Sequence, residues 1–156
     1  MIPLPIAKKH LLHRHNQGRV VGLLNRPGRN QPVQLVESWD PGGPSDHSRS
    51  DGKRAVTLLQ KEGLLAAEAM LGRPIPWQIL RRNILVEHIN INTFVGYRFQ
   101  VGGALLEGTC LCDPCHKMEE ALGEGAYAAL LGHSGICARI IESGPINMGD
   151  ALSLAL

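Results

Sequence analysis

Residues 109–119, TCLCDPCHKME, hold three of the chain's four cysteines, Cys110, Cys112 and Cys115, followed by His116. Thiols and an imidazole this close together support several chemistries. Cys112-Asp-Pro-Cys115-His116 has the spelling of a c-type haem attachment site. Cys110, Cys112, Cys115 and His116 offer sulfur and nitrogen ligands for zinc. Cys112 and Cys115 alone have the CxxC spacing of a redox dithiol. The plainest alternative is that the cysteines are small buried hydrophobes. That suits Cys110 and Cys137, but suits Cys115 poorly, because it follows Pro114 in a polar turn.

Each chemistry requires something elsewhere in the chain. Structural zinc calls for a second, distant ligand pair, and the distant candidates are single residues: Cys137, His133, His88 and His47. A thioredoxin-like pair calls for a βαβ frame. Haem attachment normally follows export, and MIPLPIAKKHLLHRHNQG lacks the apolar stretch and cleavage site of a secretory leader. The expected location is therefore the cytoplasm, where cysteines remain thiols.

The whole chain narrows the field further. Its 156 residues suit one domain with a real core, and 44% are hydrophobic. Sixteen basic against fourteen acidic residues, +2 net, give no charge-based case for nucleic acid or membrane partners. Aromatic content of 4% argues against base-stacking modules. No apolar run is long enough to span a bilayer.

The elements that would position the cysteines read mainly as strands. Residues 1–17 are basic and His-rich and read as a flexible tail before a domain at 18–156. RVVGLL (19–24) and PVQLVESW (32–39) suggest a hairpin about NRPGRN. Residues 40–53 form a long Gly/Pro/Ser/Asp loop, a common site of function. RAVTLLQ (54–60), RRNILVEHI (81–89), YRFQVGGALLEGTCL (97–111), ICARIIES (136–143) and ALSLAL (151–156) read as strands. KEGLLAAEAMLG (61–72) reads as a helix with Leu65, Ala69 and Met70 on one face, stopped by Gly72, and EGAYAALLG (124–132) as a second. The expected fold is mainly β, a barrel of mixed strands with a few short helices. Cys110 and Cys112, two apart near a strand end, share a face, and Cys115 falls where strand yields to loop or helix, where backbone N–H groups favour a thiolate.

In this order and spacing the chain resembles the MOSC domain family, the module at the C-terminus of molybdenum cofactor sulfurases, found also in amidoxime-reducing proteins and in small stand-alone bacterial proteins. GRVVGLLNRPGRNQPVQLVES resembles the family's opening hairpin, and SDHSRSDGKRAVTLLQKEGL its Gly-Asp-x-His loop and following strand. LGRPIPWQILRRNILVEHININTFVGYRFQVGGALLEGT resembles the Arg-x-Asn-Ile segment, DPCHKM the Pro-Cys element, and GHSGICARIIESGPINMGDALSL the Gly-rich closing strands.

The resemblance implies a MOSC-type β-barrel and a molybdenum cofactor (molybdopterin) whose metal is ligated by one cysteine thiolate. The matching position is Cys115, which becomes the expected catalytic residue and metal ligand, with Cys112 a nearby thiol. Arg81 and Asn83 match the Arg-x-Asn spacing, and on a strand they would share a face toward the cofactor while Arg82 pointed away. Asp46 and His47 match the Gly-Asp-x-His loop, with Ser45 in place of its glycine. Lys53 and Arg54 could complete a positive pocket. The larger relatives carry an N-terminal segment that supplies part of the pocket, where this chain has residues 1–17. The implied function is reduction of N-oxygenated compounds, with electrons from a partner protein, or else carriage of cofactor or sulfur received from a donor protein.

Overall fold

A computed structural model describes residues 10–12, 16–44, 46–48 and 50–155. The proposed tail therefore lies mostly outside the described residues; within it, Leu11 packs against the core. Among the described residues there are ten strands: β1 Gln17–Asn25, β2 Gln34–Leu35, β3 Ser38–Trp39, β4 Val56–Gln60, β5 Ile84–Glu87, β6 Arg98–Val101, β7 Ala104–Leu111, β8 Ile136–Glu142, β9 Ile146–Asn147 and β10 Ala151–Leu154. Helices α1 Lys61–Leu71, α2 His116–Leu122 and α3 Ala126–Leu130 join them.

Seven strands close on themselves in the order β1-β10-β6-β7-β8-β4-β5 and back to β1. Every neighbour pair is antiparallel except β4/β5. Parallel strands need a long crossover, supplied here by α1 and the 3₁₀ turn Trp77–Leu80. The expected mixed barrel is thus present.

The wall divides the apolar residues into two layers. Val20, Leu23, Val56, Leu58, Ile84, Phe94, Phe99, Leu106, Ile136 and Ala138 fill the barrel interior. Leu59, Leu85 and residues of all three helices, including Leu64, Ala67, Met118 and Leu130, form a second layer outside it. This explains why VTLL of β4 is buried without alternation: both its faces are covered.

Three sequence readings need correction. The apolar face of α1 is Gly63, Leu64 and Ala67; Leu65, Ala69 and Met70 are exposed. Residues 97–111 are two strands, β6 and β7, turning at Gly102 and Gly103, and Gly102 has φ +52. PVQLVESW splits between β2, which pairs antiparallel with β1 as the expected hairpin, and β3, which pairs with β9.

The site lies on the outer face at one end of the barrel. Ile136 and Ala138 point inward, so Cys137 points outward. Cys137 is paired in register with Thr57 on one side and Cys110 on the other. Thr57 in turn bonds Asn83, and Asn83 bonds Leu24. One row thus runs across β1, the approach to β5, β4, β8 and β7. Gly135 permits it, because its φ is +93 and an added Cβ would lie 2.0 Å from Leu58 O.

Candidate functional site

Asn83 sits at the centre of the row and is fully buried. Its Oδ1 accepts from Thr57 N (3.1 Å) and Thr57 Oγ1 (3.2 Å). Its Nδ2 donates to Leu24 O (3.3 Å) and Asp46 Oδ1 (3.1 Å). Every hydrogen-bonding group of the amide is used, so Asn83 organises the wall and has nothing left for a ligand.

Asp46 is the second member of this knot. Its carboxylate accepts from Arg26 N (2.7 Å), Arg26 Nη2 (3.2 Å) and Ser48 N (3.2 Å). Burial alone would raise the Asp46 carboxyl, but the hydrogen bonds and charge of Arg26 hold it below the ordinary carboxylate range. Arg26 also donates to Ser48 Oγ and, at 3.5 Å, to Arg81 O. Sequence reading had placed Arg26 in a turn, with no signal that it is the hub joining the 25–31 turn to the 40–55 loop.

His47 is exposed and tied to the hub by its backbone, N–H to Arg26 O at 2.8 Å. Its imidazole titrates below the ordinary histidine value, first through desolvation and then through the charges of Arg26, Arg81 and Arg29. It lines a cleft of about 430 Å³ with Arg29, Ser48, Gly52, Lys53 and Arg54. Among the described residues no ion pair engages Arg29, Lys53 or Arg54. Arg54 also borders a second cleft, of about 210 Å³, with Arg26, Thr57, Arg82, Leu111, Cys112, Asp113 and Cys137. Two basic concavities therefore meet at Arg54, and both suit an anion.

Arg81 and Arg82 exchange the roles expected of them. Arg81 is no strand residue: it caps the 3₁₀ turn in the left-handed region, φ 56, and β5 begins only at Ile84. Strand alternation does not apply, and Arg81 shares no face with Asn83. Its guanidinium bonds Gln31 O (2.5 Å) and Gly28 O (2.8 Å), fastening the 25–31 turn. Arg82 borders the smaller cleft, held by Ser134 O and Leu80 O. Arg54→Ala, an exposed truncation, should weaken pyrophosphate binding by calorimetry about tenfold with little change in stability. Arg81→Ala should loosen the turn that carries Arg29 and weaken that binding less than Arg54→Ala does.

The cysteines separate into two kinds. Cys112 and Cys137 are buried, 8% and 4% exposed, with their sulfurs 2.8 Å apart. Cys110 is half-buried beside them. Cys115 is exposed and lines neither cleft, two residues beyond Asp113, which borders the smaller one. It is the N-cap of α2, with extended backbone and no side-chain cap bond. Its thiol is thus presented at a helix start, as expected, while Cys112 turns inward. Among the described residues no three His, Cys, Asp or Glu side chains converge to hold a metal ion unaided.

The chain is thus a small closed mixed β-barrel domain with a buried polar knot, two basic clefts and an exposed thiol at the start of α2. The MOSC domain family model matches residues 26–153, and the chain belongs to that family. The YuaD protein of Bacillus subtilis superposes with a TM-score of 0.76 at 18% identity, over 88% of this chain and 95% of that one. YiiM of Geobacillus stearothermophilus gives 0.72 at 18%, over 89% and 75%. YiiM of Escherichia coli gives 0.64 at 18%, over 88% and 70%. No curated protein matches the sequence at a significant level. No described helix is long and apolar enough to cross a membrane.

Proposed function

We propose that this MOSC-domain protein binds a molybdenum cofactor of the molybdopterin type through the Cys115 thiolate and acts as an oxidoreductase on N-oxygenated compounds. The observation that carries the reading is the exposed Cys115 thiol at the start of α2, two residues from Asp113 on the arginine-lined smaller cleft. The donor set fits the group. A pterin cofactor brings its own sulfur ligands, so a single protein thiolate suffices, and a soft one suits such a centre. Its phosphate needs cations, and Arg29, Lys53, Arg54 and Arg82 border the clefts. Arg81 and Asn83 support those walls without facing the ligand.

When bound, the cofactor would supply the redox couple for removing oxygen from nitrogen. The protein's part is to hold the metal by Cys115, neutralise the phosphate, and leave one side open. Electrons would come from a cytosolic electron-transfer protein, and the cofactor or its sulfur from a donor protein. The exposure of Cys115 also favours a second reading, a carrier that holds cofactor or sulfur and passes it on without turnover.

Protein purified from a host that makes the cofactor should contain stoichiometric molybdenum and reduce a hydroxylamine with an artificial reductant. Molybdenum without turnover would select the carrier reading. Zinc, or no metal, would overturn the cofactor reading.

A further inference from the structure

The thiols of the β7/β8 ladder border the smaller cleft, beside Arg54 and Arg82, and are arranged for chemistry of their own. Cys112 Sγ and Cys137 Sγ are 2.8 Å apart, both as free thiols. A disulfide bond is about 2.05 Å long, so the sulfurs need to close by only about 0.75 Å. Cys112 lies one residue past the end of β7, where its N–H donates to Gly135 O and its carbonyl accepts from Ser134 Oγ. That short approach therefore leaves the ladder of paired strands in place. Cys112 and Cys137 both border the smaller cleft, whose neighbours Arg54, Leu111 and Asp113 are exposed, so its mouth opens to solvent.

We infer that Cys112 and Cys137 form an oxidant-sensitive dithiol, closed to a disulfide by small hydroperoxides entering this cleft. The two sulfurs are already differentiated. The hydrogen bond from Cys137 and the guanidinium charges of Arg82 and Arg54 favour the Cys112 thiolate against its burial. The same hydrogen bond, with burial, keeps Cys137 protonated. The Cys112 thiolate attacks the terminal peroxide oxygen: the O–O bond breaks, an S–O bond forms, and the departing oxygen takes a proton to leave as water or alcohol. Cys137 sulfur then attacks the sulfenic sulfur, giving up its proton. The S–O bond breaks, the S–S bond forms, and hydroxide leaves with that proton as water. Two thiols lose two electrons and one peroxide gains them. Arg54 and Arg82 stabilise the thiolate and the departing hydroxide, opposed in the cleft by Asp113. The product ties β8 to the chain three residues before Cys115.

This inference does not require the cofactor to bind, and non-reducing peptide mapping of cofactor-free protein tests it. Tryptic fragment 99–117 carries Cys110, Cys112 and Cys115, and fragment 118–139 carries Cys137. Reduced full-length protein treated with hydrogen peroxide, then iodoacetamide, should give the two fragments linked, with the linkage reversed by dithiothreitol. Cys112→Ser should lose the link, and Cys110→Ser and Cys115→Ser should keep it. Fragmentation of the linked wild-type peptide locates the bond even where a variant folds poorly. A Cys112–Cys115 bond within 99–117, a Cys110–Cys137 bond, or oxidation confined to Cys115 would each overturn the inference.

Discussion

Cys115→Ser, purified from a cofactor-making host, should carry molybdenum only at background while staying as stable as the parent or gaining about 0.5–1 kcal/mol. The two halves of this expectation have separate causes. Serine offers a hard, protonated hydroxyl where a soft thiolate is needed, so ligation fails. Yet Cys115 is the N-cap of α2 and makes no capping bond, whereas serine is among the preferred N-cap residues. Loss of metal with an unchanged or raised unfolding midpoint separates a ligand to a bound group from a structural metal cage, whose loss would unfold the domain. Retained molybdenum, or unfolding, would defeat the assignment of Cys115. Alkylation of the wild type gives the same information kinetically. The exposed Cys115 should react first, then half-buried Cys110, with Cys112 and Cys137 last. Cys112, close to Cys115 in sequence, falls behind Cys110 because it is buried against Cys137.

The barrel was legible because alternating strands, Gly and Pro breaks and family-like segments all pointed the same way. The failures lie where local pattern is silent. VGGALL runs apolar straight through the Gly102–Gly103 turn, so one long strand was read where two are folded. The α1 face was misplaced because LLAAEAML is apolar nearly all round, and only packing against Leu59 and Leu85 selects Leu64 and Ala67. Arg81 looked like a strand residue because nothing in RRNIL announces a left-handed cap, and that one backbone turn changes which arginine borders the cleft. At the site, exposed Cys115 could be singled out from its Pro-Cys turn. Arg26 could not be, since its role arises from Asp46, twenty residues away, and Asn83, fifty-seven away.

Asp46→Ala should therefore destabilise the protein by about 3–5 kcal/mol, the usual result of removing one partner from a buried ion pair. The side chains of Arg26 and Asp46 are only 10% and 3% exposed, so the truncation strands a buried guanidinium. It also leaves the backbone N–H groups of Arg26 and Ser48 and the Asn83 amide without their acceptor. The pH dependence follows the same group. Its folded pKa is depressed, so its contribution is present above the unfolded aspartate value of about 3.9 and is lost as pH falls through the lower folded value. Wild-type stability should fall steeply below about pH 4, and Asp46→Asn should flatten that part of the profile. Chemical denaturation at pH 7 and at descending pH reads both effects. The loop carrying His47, Lys53 and Arg54 is anchored to the barrel through Asp46, so the truncated protein should also bind pyrophosphate more weakly. A loss below about 1 kcal/mol, typical of an exposed ion pair, would mean that Arg26 finds water or another acceptor, and that the knot does not hold the cleft in shape.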